Sequence, residues 1–190
     1  MAKIYIAEYI GMAFDAQNGG LAIPPSPPTV EQKIDTAGTT GAIATLGAIT
    51  AGSLYTNGTY TNVPLTGGTG SGAKATITVS GAAVTAVTLT ARGTGYTAAD
   101  SLSATAANIG GTGSGFAIPV STIEIRAAAF QPTTRFAEVS ADGICSILVG
   151  SDTSAVVTTS SKRLAANERV IIGVDGQNTS PQFLSAITNT

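Results

Sequence analysis

The sequence contains no histidine, no tryptophan and a single cysteine, Cys145. Without histidine, the chain lacks the usual general base of serine and cysteine hydrolases and the commonest protein ligand of transition metals. One cysteine cannot form a disulfide within the chain or a thiolate metal cluster. Because Cys145 lies in the apolar run ICSILVG, we interpret it as a small buried core residue and not as a reactive thiol.

Charge is also scarce. Only 11% of the 190 residues are charged and the net charge is −2, whereas about 25% is usual for a soluble domain. The basic residues are scattered, with Lys162-Arg163 as the one adjacent pair, so nucleic acid is not an expected partner. The start, MAKIYIAEYIGMAF, includes Lys3 and Glu8 and has no uninterrupted apolar core, so we expect neither a signal peptide nor a membrane span.

Paired carboxylates could still cleave a glycosidic bond. The Asp142-Gly143 and Asp175-Gly176 pairs are typical of turns, so we favour a turn-forming role for the acids over catalysis. No calcium-loop motif is present, although an ion at Asp152 stays open as an alternative. The eleven acidic residues are Glu8, Asp15, Glu31, Asp35, Asp100, Glu124, Glu138, Asp142, Asp152, Glu168 and Asp175.

Two arginines flank a predicted hairpin in the C-terminal part of the chain. We expect Arg126 and Arg135 to pair with Glu124 or Glu138 across its strands. Taken together, these patterns predict no catalytic residue, no cofactor-binding residue and no metal ligand.

A glycine run ending in lysine, GGTGSGAK at 67–74, is the stretch that most resembles a ligand-binding loop. A phosphate-binding loop needs Gly-Lys-Ser/Thr after four intervening residues, but Ala73 follows Gly72 and Lys74 comes one position late. The run also reads G-x-G-x-G, which is not the G-x-G-x-x-G of dinucleotide-binding turns. The spacing therefore argues against a phosphate site.

GGTGSG returns at 110–115, and the similarity extends beyond the glycines. The segment GAIATLGAIT at 41–50 is echoed by GAAVTAVTLT at 81–90, and Tyr60 and Tyr96 fall at matching places after those segments. Two copies of one strand-turn-strand unit explain the glycines better than a ligand does, because self-similarity at this scale indicates fold.

Period-two alternation and frequent turns predict an all-β protein. Residues 30–35 could form a short helical turn or an edge strand, and the prolines at 24–28 predict an extended connector. Asn57-Gly58 and Ser80-Gly81 indicate turns or hairpins. The predicted strands include KIYIAEYI at the N-terminus, ATITV, VTAVTLT, IEIRAAAF, RFAEVS, ICSILVG, VVTTSS, ERVIIGV and QFLSAIT.

The strand spacing in the C-terminal part is typical of a β-sandwich or jelly roll. We expect residues 1–38 plus 123–190 to form such a base. Residues 39–122, rich in glycine and threonine, would be a small repeat β module inserted at an exposed loop and projecting outward. Positions 38 and 123 should then lie close together.

Two long runs carry a resemblance to known proteins. Residues 133–174, TTRFAEVSADGICSILVGSDTSAVVTTSSKRLAANERVIIGV, resemble small structural proteins encoded beside the capsid genes of tailed bacteriophages. Residues 55–79 and 84–100 resemble a glycine- and threonine-rich module that recurs in phage tail and head-fibre proteins.

The resemblance implies a capsid decoration or cement protein on the capsid surface of the virion, assembled in the host cytoplasm and carrying a knob or short head fibre. Its partners would be the major capsid protein and copies of itself, with a homotrimer suited to three-fold positions of a shell. The alternative is a tail-fibre or receptor-binding module whose loops 92–100 and 104–114 bind a host surface glycan. An enzyme such as a depolymerase is the least favoured interpretation.

Overall fold

A computed structural model describes residues 1–10, 13–14, 22–23, 28–152, 156–158, 160–174 and 181–188. Residues 24–27 of the predicted connector at 24–28 lie outside the described residues, as do Asp15 and Asp175-Gly176. The predicted all-β class is confirmed, because the described residues form sixteen strands and one four-residue helix. No helix among them is long and apolar enough to cross a membrane.

The elements follow one another along the chain as β1 (Lys3–Tyr9), β2 (Ala13–Phe14), β3 (Ala22–Ile23), β4 (Val30–Asp35), β5 (Ala42–Leu46), β6 (Thr50–Tyr55), β7 (Gly58–Pro64), β8 (Ser71–Ser80), β9 (Ala83–Thr94), β10 (Ser101–Leu102), α1 (Ala106–Ile109), β11 (Gly111–Arg126), β12 (Phe136–Ala141), β13 (Cys145–Gly150), β14 (Lys162–Leu164), β15 (Arg169–Gly173) and β16 (Phe183–Thr188).

The chain divides into two compact units. The terminal unit consists of Met1–Gly38 and Ile125–Thr190, and the central unit consists of Thr39–Glu124. The sequence predicts limits after residues 38 and 122, so the first limit agrees with the structure and the second differs by two residues. That the central unit projects outward stays a prediction.

The terminal unit contains two antiparallel sheets that share one core. The first has the strand order β15-β12-β1-β4. In the second, β16 pairs with β13, with the last two residues of β11 on its other side, and β14 pairs with β13. Both sheets contribute buried side chains to one cluster, as in a β-sandwich. The cluster includes Ile4, Ile6, Ile34, Val139, Cys145, Ile147, Leu164, Leu184 and Ala186.

Side chains alternate between exposed and buried along the first part of β1. Ile4 and Ile6 are buried while Lys3 and Tyr5 are exposed, so one face of the strand meets the core. Residues 30–35, which the sequence leaves between helix and strand, form strand β4 beside β1 at the sheet edge. The strand is favoured because Ile34 reaches the core in register with Ile4.

The central unit has its own core and its own sheets. Strands β7, β8 and β9 form an antiparallel sheet, and β5, β6 and β10 each pair with β11. The predicted strands ATITV and VTAVTLT lie within β8 and β9. Gly81 and Ala82 between them both have positive φ, as a two-residue type I′ hairpin requires. The signal at Ser80-Gly81 therefore marks a hairpin.

Each glycine run lies against a tyrosine ring with no room for a side chain. A Cβ added at Gly70 would lie 2.5 Å from the ring of Tyr96, and one at Gly113 would be even closer to the ring of Tyr55. Both rings are almost completely buried. The third glycine of each run is therefore required by close packing, which only a residue without a Cβ allows.

The two glycine runs match each other residue by residue. Positive φ angles occur at the first, second and last glycine of both runs. Those glycines are Gly67, Gly68 and Gly72 in the first run and Gly110, Gly111 and Gly115 in the second. Equivalent residues also face equivalent partners, since Ser71 pairs with Thr94 in one place and Ser114 with Ser53 in the other. The backbone therefore takes the same conformation at equivalent glycines of both runs.

The partners are exchanged between the two copies. Along the chain, GSLYT at 52–56 precedes the first glycine run and GTGYT at 93–97 precedes the second. In space, however, the first run packs on Tyr96 and the second run packs on Tyr55. The glycine run of each copy packs on the tyrosine of the other copy, so neither copy can form its glycine-tyrosine contact alone.

This arrangement corrects the matching of tyrosines expected from the sequence. The residue equivalent to Tyr96 is Tyr55, and Tyr60 is not. Tyr60 is only partly buried and its hydroxyl donates a hydrogen bond to the carbonyl of Thr56. The equivalence is hard to see in the sequence because Leu54 occupies the position that Gly95 has in the other copy.

Substituting Gly113 by alanine should destabilise the protein by about 2–3 kcal/mol, because the new Cβ overlaps the buried Tyr55 ring. Gly58→Ala is the matched control, since a Cβ there makes only an ordinary 3.4 Å contact with Tyr60. Urea unfolding of both variants measures the difference. An equal, small effect for both would show that the glycine-tyrosine packing is not tight.

Leu54 is a leucine in a left-handed backbone conformation, with φ at 66° and 67% of its surface exposed. A Cβ in this region costs roughly 1–2 kcal/mol. Leu54→Gly should therefore raise stability by about 0.5–1 kcal/mol after the flexibility of glycine is subtracted. Its neighbour Ser53, which is not among the positive-φ residues, is the control, and Ser53→Gly should lower stability. A Leu54→Gly protein less stable than wild type would contradict this account.

Candidate functional site

Glu8 is a fully buried carboxylate in strand β1, and it illustrates how this chain uses its acids. Its side chain accepts hydrogen bonds from Gln32 Nε2 at 2.6 Å, from the Gln131 backbone N–H at 2.9 Å and from Thr134 Oγ1 at 2.5 Å. A buried carboxylate is tolerated only when its oxygens are satisfied in this way. Glu8 therefore joins β1 to β4 and to the segment before β12.

The arginine pairings expected from the sequence are wrong. Glu124 pairs with Arg92 at 2.5 Å in the buried part of the central unit, and Glu138 pairs with Arg169 at 2.8 Å. Arg126 pairs with Asp152 at 2.6 Å and lies over the ring of Phe183. The expected pairs relied on closeness in sequence, whereas Arg92 and Glu124 are brought together by β9 and β11.

Asp152, considered as a possible ion ligand, is thus engaged by Arg126. Over the residues that the structure describes, no group of three or more histidine, cysteine, aspartate or glutamate side chains is arranged to hold a metal ion.

Asp100 organises the turn between β9 and β10. Its carboxylate accepts hydrogen bonds from the backbone N–H and the hydroxyl of both Thr69 and Thr97. These bonds, those from the backbone N–H groups most of all, lower the pKa of Asp100 to about 2. Since Thr69 lies within GGTGSG, the carboxylate ties the first glycine run to the turn that follows Tyr96.

Three other acids also accept hydrogen bonds from backbone N–H groups. Asp142 accepts a hydrogen bond from the Lys3 N–H, Asp35 from the Ala37 N–H and Glu168 from the Ala165 N–H. Carboxylates at such positions stabilise turns and strand ends. With Glu8, Asp100 and the ion-paired acids, eight of the nine acidic residues in the described part of the chain have a structural partner, and Glu31 is the ninth.

Cys145 is fully buried in the core of the terminal unit, as predicted. Burial, with smaller contributions from Asp142 and Glu168, raises the pKa of its thiol. A raised pKa disfavours the thiolate that a nucleophile needs.

The loops proposed for glycan binding do not expose their tyrosine. Tyr96 is 1% exposed and its backbone pairs with Gly41. In the second loop, 104–114, the short helix α1 turns Ile109 into the core. A glycan at these loops would therefore meet hydroxyl groups and backbone, not an aromatic face.

The outer face of the β15-β12-β1-β4 sheet carries a shallow groove of about 320 Å³. Tyr5 lies in it, 46% exposed, with Lys33 Nζ 5.7 Å from the centre of its ring. Glu31 and Glu138 lie on either side of Ala7, each opposite it across a strand. Tyrosine is enriched in protein-protein interfaces, so Tyr5 is the residue of this groove that favours a protein contact.

A second groove, of about 360 Å³, lies in the same unit where β13 and β14 come near β15. Its wall is almost entirely apolar, with Lys162 as its one charged residue. Ile171, on β15 itself, is 42% exposed. The lining residues are Ile147, Leu148, Val149, Lys162, Ile172 and Gly173.

Sequence reasoning missed both grooves. The sequence places Tyr5 and Ile171 in strands, but which face of a strand stays open depends on what packs against that face of the sheet. The alternation of exposed and buried residues in KIYIAEYI is the signal that could have placed Tyr5 on an outer face.

Because the pKa of Asp100 is lowered on folding, its contribution to stability is complete above about pH 4, the ordinary range of aspartate, and disappears as the pH falls to about 2. Asp100→Asn should remove this part of the acid dependence and also lower stability at neutral pH. Asp35→Asn, at the end of strand β4 in the terminal unit, is the control. Urea midpoints measured at several pH values test the prediction, which fails if Asp100→Asn and wild type lose stability in parallel.

Comparisons with protein-family models, with curated proteins and with solved structures found no match. The function of the chain must therefore be inferred from its own residues.

Proposed function

We propose that the chain is a structural protein of a tailed-bacteriophage particle that binds the assembled capsid and stabilises it. The proposal starts from the resemblance of residues 133–174 to proteins encoded beside phage capsid genes. In the structure this run supplies strands β12, β13, β14 and β15 of the terminal unit. The proposal therefore gives capsid contact to the terminal unit.

The observation that carries the proposal is the structural use of the charged groups. Carboxylates that could serve as general acids or bases instead hold turns, strand ends and arginines, as Glu8, Asp100 and Glu124 illustrate. Such a protein acts by presenting surface, and the groove around Tyr5 and the apolar groove beside β15 are the surfaces it offers.

Stabilisation of the shell would follow from mass action. A protein that binds the assembled shell and not the free capsid subunits stabilises the shell by RT ln(1 + [L]/Kd) at each site. This amounts to about 2.7 kcal/mol when the protein is present at a hundred times its Kd. No chemical step is required, so a rigid β scaffold with satisfied internal polar groups is sufficient.

Cosedimentation of the purified protein with empty capsids that lack it, and separately with whole host cells, tests the proposal. We expect binding to capsids that saturates at a fixed number of copies per shell and delays thermal disruption of the shell. Free major capsid protein is the control for binding to unassembled subunits. Binding to cells together with no binding to capsids would overturn the proposal in favour of receptor recognition.

A further inference from the structure

Strand β15 ends its sheet, and its free edge is apolar. In the described part of the chain its partner is β12 alone, and no described residue pairs with its opposite edge. Its sequence, RVIIG, has one charge, at Arg169. The opposite edge strand, β4, carries Glu31, Lys33 and Asp35 facing outward, which is how proteins discourage edge-to-edge pairing. Of the two edges of this sheet, the β15 edge lacks that protection in the described residues.

The hydrogen bonds around β15 show which backbone groups face its free edge. Val174 donates its N–H to Arg135, and Ala141 donates to Glu168. These bonds lie just beyond the pairs 136/173 and 140/169, which makes those pairs non-hydrogen-bonded in the alternation of an antiparallel ladder. The N–H and C=O groups of residues 169, 171 and 173 therefore point away from β12.

The spacing of those three residues allows β15 to pair with a second copy of itself. In an antiparallel pair centred on Ile171, residue 171 faces 171 and each Arg169 faces Gly173 of the other strand. About six main-chain hydrogen bonds would form, two for each facing pair. A Cβ at Gly173 would meet nothing within 4 Å, so there is space beside it for the arginine. No like charges face each other in this register.

The same pairing would cover apolar surface that is open in a single chain. Ile171 is 42% exposed, and Val170 and Ile172 are only partly buried although they pack against the core. In the paired strands, Val170 of one copy faces Ile172 of the other, so each shields its counterpart. Apolar cross-strand pairs of this kind stabilise a sheet.

The apolar groove beside β15 would be covered as well. It is lined by Ile172 and Gly173 on one side and by β13 residues on the other. A strand added to an edge gains main-chain hydrogen bonds from the edge and side-chain contacts from an adjoining groove. The β15 edge and the adjoining groove would therefore both be covered by β15 of a second copy.

We infer that β15 is a self-association edge through which two copies of the chain join antiparallel across a two-fold axis, extending the β15-β12-β1-β4 sheet from one copy into the next. This differs from the homotrimer expected from the sequence. The inference does not depend on the proposed function, because it concerns the purified chain alone.

Light scattering across a concentration series tests it with two matched variants. We expect wild type to form a dimer and Ile171→Lys to raise the dimer dissociation constant by at least about tenfold, because two lysines would face each other in place of two isoleucines. In the monomer the new lysine lies beside Glu138, so folding should be retained, as circular dichroism will show. Ile187→Lys, at a residue 37% exposed within strand β16, should leave the dimer intact.

Disulfide trapping provides a second test that does not depend on affinity. Ile171→Cys should form a covalent dimer when oxidised with copper phenanthroline, because facing residues in this register lie about 5.5 Å apart at Cα. The native Cys145 is buried, and Ile187→Cys controls for chance collisions.

A monomeric wild-type protein at every concentration would overturn the inference. So would a trimer, a dimer unaffected by Ile171→Lys, or equal trapping of the 171 and 187 cysteines. Dimerisation that Ile171→Lys weakens, together with selective trapping at 171, would support it whether or not the protein binds capsids.

Discussion

The close packing of a glycine backbone against a buried tyrosine ring, made twice, is the constraint on which the central unit depends. At Gly70 and at Gly113 the space for a side chain is already filled by Tyr96 and Tyr55. The surrounding glycines with positive φ bend the chain so that this contact can form. A run that resembles a nucleotide-binding loop is thus used for packing. Because each tyrosine packs against the glycine run of the other copy, both copies are needed to form the core of the central unit.

A second constraint comes from the scarcity of charge. A chain with so few acids and arginines could leave them all in water, yet Glu8, Arg92 and Glu124 are buried. Each is hydrogen-bonded or ion-paired, which offsets the desolvation that burial would otherwise impose. Removing one partner would leave a buried charge unmatched, so these contacts favour one arrangement of strands over others. The surface that remains is rich in hydroxyl groups, interrupted by a few apolar side chains such as Ile171.

Much of the fold could be predicted from the sequence because its signals are local. Period-two alternation predicts β1, β8 and β9, and Ser80-Gly81 predicts the turn between β8 and β9. Contacts between distant segments could not be predicted in this way. Arg92 and Glu124 meet only because β9 and β11 enclose one core, and Leu54 conceals the likeness between GSLYT and GTGYT. The open grooves could not be predicted for the same reason, since exposure depends on which distant segments pack against each face of a sheet.

Native-state hydrogen exchange of the amides in 67–72 and 110–115 tests most directly whether the two copies complete each other. If each glycine run requires the tyrosine of the other copy, opening one contact exposes both, and the slowest amides of the two runs should share one opening free energy and respond equally to denaturant. Exchange of one run through a local opening while the other stays protected would contradict this account and show two independent substructures.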